Sequence, residues 1–162
     1  MVIISDTSPI TNLLAIEHIH LLPALYSRII IPEGVREELL RVESRKEKIH
    51  GFLSAGWLEV RAISNFKLYE DLLTHLDKGE SQAITLGVEL KADLLLMDET
   101  KGRMYAKNYG LPVTGLLGML IEAKSRSFIL SVKDLLDGLM EKAGFYMDEK
   151  LYQTVLDAAG EK

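Results

Sequence analysis

Short apolar runs alternate along the chain with longer stretches of helical periodicity. Val2-Ile3-Ile4-Ser5, Arg28-Ile29-Ile30-Ile31, Trp57-Leu58-Glu59-Val60, Leu94-Leu95-Leu96-Met97 and the brief Pro112-Val113 read as strands. The first helix is expected to begin with Ser8 as N-cap and Pro9 at the first helical position. Further helical sequence carries Leu21, Leu22 and Leu25. Pro32 stops the second strand and opens the next helix, PEGVREELLRVE. Helices are also expected over about 44–54, 66–76 and 78–91, then up to about Tyr109. The last three run from Thr114 to about Ser127, from Ser131 to Ala143 and from Asp148 to Ala159. Strands alternating with helices predict an α/β domain with a mostly parallel sheet. One domain over 1–162 is expected, with the C-terminal helices 131–160 packed on it or used for association.

Composition narrows the classes without choosing among them. The 162 residues are 48% hydrophobic and 27% charged, enough for a sizeable core. There is no Cys, which excludes disulfides, zinc–thiolate sites and thiol nucleophiles. The start lacks the basic flank and long apolar core of a secretory signal, and no apolar run reaches the roughly 18 residues of a membrane span. A cytoplasmic protein is the expectation. The formal net charge is −5. Binding to nucleic acid through bulk charge is therefore disfavoured, and such a role needs a local basic patch or bound cations.

Four acids do not read as ordinary surface charge. Asp6 and Asp98 each follow an apolar strand at its C-terminal end, where open α/β sheets bind ligands. For either one alone, a helix cap or a solvent-facing acid is an equally good reading. Glu80 opens a helix behind Asp77-Lys78-Gly79. On a helical wheel it lies within the apolar face, near Ala83, Ile84 and Gly87, with Glu89 opposite. Two readings stand open here: a capping box with Asp77 as N-cap, and a buried site carboxylate. Glu38 borders the stripe of Val35, Leu39 and Val42, while Glu37 points away. Its plain alternative is a surface pair with Arg41. If the four acids meet, carboxylates about 4 Å apart repel by roughly 4 kcal/mol at an effective dielectric near 20. A hard divalent cation such as Mg²⁺ or Mn²⁺ relieves that repulsion and supports phosphoryl chemistry.

These segments together resemble the PIN-domain family of VapC-like ribonucleases, over nearly the whole chain. The likeness rests on Asp6 in IISDTSPI, Glu38 in IPEGVREELL, Glu80 in LDKGESQAI and Asp98 in LLLMDE. It extends to a VTG-x-LG-x-L-x-x-AK segment, here residues 113–124, found in a prokaryotic PIN-like group. The resemblance implies a three-layer α/β/α sandwich with a mostly parallel central sheet. It implies an endoribonuclease dependent on Mg²⁺ or Mn²⁺, often the toxin of a toxin–antitoxin pair. An RNA substrate, an antitoxin protein and a homodimer follow as expected partners. Carried over by position, Asp6, Glu38, Glu80 and Asp98 are the catalytic acids and metal ligands, with Glu99 a ligand through water. Ser8 orients the first Asp, and Thr114 contributes a hydroxyl.

The remaining features carry less. Arg103 follows Glu99 at i+4, so an exposed ion pair is slightly preferred to a contact with an RNA phosphate. The charged stretch 36–48 reads as a solvated helical face. His18 and His20 would not share a face on a helix, and no residues form a triad or a nucleotide-binding loop. Trp57 reads as core. The apolar face of Leu151, Tyr152, Val155, Leu156 and Ala159 packs on its own domain by default. The leading expectation is a metal-dependent RNA endonuclease. Its rivals are a non-catalytic interaction module binding a protein partner, and a receiver-like phosphoryl-transfer domain that lacks its usual second acid beside Asp6.

Overall fold

The computed structural model describes all residues 1–162. Five strands form one parallel sheet: β1 (Ile3–Ser5), β2 (Ile29–Pro32), β3 (Leu58–Arg61), β4 (Leu94–Leu96) and β5 (Val113–Thr114). Their order is β3-β2-β1-β4-β5, with Ile4 opposite Ile30 on one side and Leu95 on the other. Residues of β1 and β2 are buried throughout, which explains their continuous apolar sequence.

Ten helices cover the sheet: α1 (Thr7–Ala15), α2 (Leu21–Tyr26), α3 (Glu33–Leu40), α4 (Lys46–Ala55), α5 (Phe66–Leu73), α6 (Lys78–Leu90), α7 (Thr100–Asn108), α8 (Leu116–Ser125), α9 (Val132–Lys142) and α10 (Glu149–Ala158). Strand alternation divides the core in two. Ile3, Ile29, Ile31, Leu58 and Leu96 pack into the larger cluster with α1–α4 and α8–α10. Ile4, Ile30, Leu95 and Met97 pack into the smaller one with α5–α7. The result is an α/β/α sandwich, as the resemblance implied. Trp57 is half-buried against the larger cluster and beside Phe52, in keeping with a core role. Val155 and Leu156 of α10 are buried in the same cluster, whereas Leu151 stays exposed.

Two element starts that matter for the site differ from expectation. The first helix begins at Thr7 with Asp6, not Ser8, as N-cap, which places Pro9 at the third helical position. Proline is tolerated there because the first-turn N–H groups lack intrahelical partners anyway. Thr114 belongs to β5, not to the helix behind it, and Gly115 is the N-cap of α8. The pairing of Leu96 with Thr114 extends the sheet by that residue.

The chain leaves β1 toward β2 and β3 on one side, then returns to build β4 and β5 on the other. The strand order therefore reverses between β1 and β4. At such a point the connections diverge to opposite faces and leave a crevice beyond the strand ends. Asp6 and Asp98 stand at that crevice, held by the Asp6 N–H to Leu96 carbonyl bond (2.9 Å) and the Met97 N–H to Thr114 carbonyl bond (3.0 Å).

Candidate active site

Each acid reaches the crevice from a different element. Asp6 is the N-cap of α1, yet its side chain makes no capping bond to that helix, and only 7% of the residue is exposed. Glu38 comes from the last turn of α3. It accepts a hydrogen bond from Thr7 Oγ1 through Oε2 (2.6 Å), and the alternative surface pair with Arg41 does not form. Glu37, one residue earlier, is exposed and pairs with Lys78, as the wheel suggested.

Both readings of Glu80 hold in part. Asp77 caps α6, its Oδ1 accepting from the Glu80 N–H at 2.8 Å. The Glu80 side chain, however, turns inward. The residue is 8% exposed, and Oε2 is buried without any hydrogen-bond partner. A buried acceptor left unpaired is uncommon and needs an explanation in the site's chemistry. Met97 and Gly102 wall it in: a methyl group at Gly102 would lie 2.8 Å from Glu80 Oε2 and 2.6 Å from Met97 Sδ.

Asp98 has partners. Its Oδ1 accepts from the Leu116 N–H at 2.7 Å, one of the unsatisfied donors in the first turn of α8. Its Oδ2 faces the Ser8 hydroxyl at 3.4 Å, a contact open to Ser8 because it does not cap α1. Ser8 thus approaches the second strand-end Asp, where the resemblance implied the first. Glu99 caps α7 by accepting from the Lys101 N–H at 3.2 Å. Arg103 forms no ion pair with Glu99; its guanidinium lies beside Asp98 and against Gly115, where a methyl group would meet Nη1 at 2.5 Å and Asp98 Oδ1 at 3.0 Å. Thr114 and Arg103 line one cleft together with Asp98.

The electrostatics record the crowding. Burial pushes the Asp6 carboxyl up to about 7; the Thr7 N–H opposes this, and the charges of Asp77, Glu38 and Asp98 add to it. Burial also pushes Glu80 up to about 8, reinforced by a hydrogen bond with Asp77 and by the charges of Asp77, Asp6 and Glu99. Asp98 is raised by burial, against the lowering effect of Leu116, Ser8 and Arg103. All five sequence-predicted acids thus belong to one electrostatic neighbourhood, but no three His, Asp or Glu side chains are oriented to hold a metal ion as they stand.

Three participants were not anticipated. Asp77 reads from sequence as a solvent-side cap, yet its charge bears on both Asp6 and Glu80. Thr7 orients Glu38 from across the crevice. Gly79 gives the room for this: a methyl group there would stand 2.7 Å from Glu38 Oε1 and 3.4 Å from Asp6 Oδ1. The one sequence signal was the glycine directly before a buried Glu in D-x-G-E.

The donor set suits a hard divalent ion. It is all oxygen, partly desolvated, and contains an orphaned carboxylate oxygen at Glu80. A family model described as a PIN domain matches residues 2–161. No curated protein matches the chain. The chain belongs to the PIN-domain family, whose fold is of the nuclease type and whose nucleases generally use divalent metal ions.

Proposed function

We propose that this PIN-domain chain is a divalent-metal-dependent endoribonuclease, with Asp6, Glu38, Glu80 and Asp98 as its acidic set and Mg²⁺ or Mn²⁺ as its cofactor. The observation that carries this reading is the unpartnered, buried Glu80 Oε2 among acids whose charges raise one another at the β1/β4 switch point. When bound, the ion supplies charge neutralisation at the phosphate and activation of water. The chain's own residues prepare that site. Thr7 fixes the Glu38 carboxylate, and the Leu116 N–H fixes that of Asp98. Burial and the neighbouring acids raise the Asp6 and Glu80 carboxyls toward neutrality, so both would exchange protons for a cation held there. Glu99 contributes from the rim as an outer ligand. The net charge of −5 is compatible with an RNA substrate because the ion brings positive charge to where the phosphate sits.

The test is cleavage of RNA with Mn²⁺ against EDTA, comparing wild type with Asp6→Asn and Asp98→Asn. Metal-independent cleavage, or full activity in both variants, would contradict the mechanism. The finer role, a homodimeric cytoplasmic toxin held by an antitoxin, rests on the resemblance to the VapC-like PIN domains, carried by segments 3–10, 77–80, 94–99 and 113–124. Co-expression with the product of the neighbouring reading frame tests it, inhibition of cleavage being the expected result.

A second reading has its own observation. Away from the acids lies a cleft of about 440 Å³, lined by His18, His20, Phe128, Leu130 and Asp134 among others. Leu130 is 94% exposed there. With Phe128, 41% exposed, beside it in the same cleft, the apolar patch favours a protein-binding module. Absence of Mn²⁺ binding to the purified chain would support this reading over the first.

A further inference from the structure

We propose that the cleft beside Asp98 is a subsite for one unpaired nucleotide of an RNA strand, with the ring of Tyr146 as the stacking platform for its base and Arg103 as the holder of the adjoining phosphate. The inference rests on the nuclease reading above and adds where and how the strand is gripped.

The cleft measures about 450 Å³, and its walls include Asp98, Arg103, Thr114, Phe145, Tyr146 and Leu151. A neighbouring cleft of about 590 Å³ shares Thr100 and Arg103 with it and adds Met104 and Lys107. Arg103 therefore stands where the two meet. On one side are a carboxylate of the acidic set and an aromatic wall; on the other is a second cation. Arg103 is engaged in none of the molecule's ion pairs. A guanidinium free of a bidentate partner, with its stem held on α7, suits a phosphate.

Tyr146 is 86% exposed, although both of its neighbours are anchored. Phe145 packs on the larger core cluster and donates its N–H to the Leu139 carbonyl at 3.1 Å. Met147 is 9% exposed. The segment between α9 and α10 is thus pinned on each side of a ring presented to solvent. An aromatic side chain with only two rotatable bonds on a pinned backbone loses little freedom when a base stacks on it. Leu151 of α10, 40% exposed, extends the apolar wall. Bases inside a duplex are already stacked and cannot be offered to such a wall, so the strand must be single-stranded.

The experiment is fluorescence anisotropy of a labelled single-stranded RNA of about 10 nucleotides, with Ca²⁺ in place of Mn²⁺ so that the acids are neutralised without turnover, over a range of salt. Tyr146→Ala is expected to weaken binding about tenfold while Tyr146→Trp retains it, as stacking predicts. Arg103→Gln is expected to reduce the salt slope by about 0.7, the value for one single-strand phosphate contact. A strand with abasic positions should bind Tyr146→Ala and wild type alike. Unchanged affinity in Tyr146→Ala, equal loss for the abasic strand, or equally tight binding of a duplex would overturn the proposal. A Tyr146→Ala variant with normal RNA binding but altered sedimentation would instead make the cleft a self-association surface. Cleavage is read separately with Mn²⁺. Tyr146-dependent binding without cleavage sinks the nuclease reading alone, and cleavage with Tyr146-independent binding sinks this one alone.

Discussion

Glu80 and Glu161 are both glutamates withdrawn from water beside the start of a helix, and the fold treats them in opposite ways. Glu161 accepts from the Val132 N–H at 2.7 Å, the Lys133 N–H at 3.1 Å, the Ser131 hydroxyl at 3.4 Å and Lys124 Nζ at 2.9 Å. These donors are two orphan N–H groups of the first turn of α9, the hydroxyl of its N-cap and one cation. Burial pushes its carboxyl up, but those hydrogen bonds and the Lys124 charge outweigh it and hold it at about 2. Glu80 has an oxygen with no donor at all and is surrounded by acids. The first carboxylate completes the structure. The second is left incomplete by the structure, and such a group is a candidate for function. Partners, more than burial alone, separate the two.

The largest effect should come from breaking the incomplete side. Asp6→Asn or Asp98→Asn is expected to lower Mn²⁺-dependent RNA cleavage at least about a hundredfold, measured as kcat/KM, while the chain stays folded. Next is the complete side. Glu161→Ala should destabilise the fold by about 2 kcal/mol in urea unfolding, since charge-assisted hydrogen bonds are lost and the α9 donors are bared. Cleavage at temperatures well below unfolding should be unaffected. Gly79→Ala sharpens the contrast further. Its methyl group would push on the Glu38 carboxylate. Mn²⁺ affinity should fall several-fold, with stability changed by no more than about 1 kcal/mol, alanine being the better helix residue.

The pH dependence of stability differs in sign between the two glutamates. Glu80 has a folded value of about 8 against 4.5, and Asp6 about 7 against 3.8. Between these bounds the unfolded chain is ionised while the folded one holds its protons. Metal-free stability contributed by these groups is therefore full below the unfolded values and is lost as pH rises through about 7 to 8. For Glu161 the folded value is the lower one, so its contribution is present above about 4.5 and is lost as pH falls toward about 2. Metal-free melts of Glu80→Gln between pH 5 and pH 8 should show a flatter decline than wild type. An unchanged profile would contradict the assignment.

Much of this was legible in the sequence because burial on both faces forces uninterrupted apolar strands. Those strands then mark Asp6 and Asp98 at their ends. The wheel position of Glu80 was legible too, since helix periodicity is local. What escaped depends on contacts between elements. Thr7 reaching Glu38, Asp77 bearing on Asp6, and Arg103 turning toward Asp98 rather than Glu99 all cross from one element to another. No spacing rule encodes such contacts. The misplaced start of α1 had a similar cause: Ser8-Pro9 is a sound cap signal, but sheet pairing of β1 ends at Ser5 and the turn follows at once. The role of Glu161 is likewise invisible along the chain, because its donors lie on α8 and at the start of α9.

The central claim is that Asp6, Glu38, Glu80 and Asp98 are an unfinished ligand set completed by a divalent ion. Titration calorimetry of Mn²⁺ into the metal-free protein near pH 7, repeated in buffers of different ionisation enthalpy, tests it most directly. The account predicts binding accompanied by proton release, because near pH 7 Asp6 is raised to the point of being about half protonated and Glu80 is raised further still. It also predicts that Asp6→Asn abolishes binding and that Glu80→Gln weakens it and reduces the released protons. Absence of binding to the wild type, or binding of equal strength without proton release in all three proteins, would contradict it.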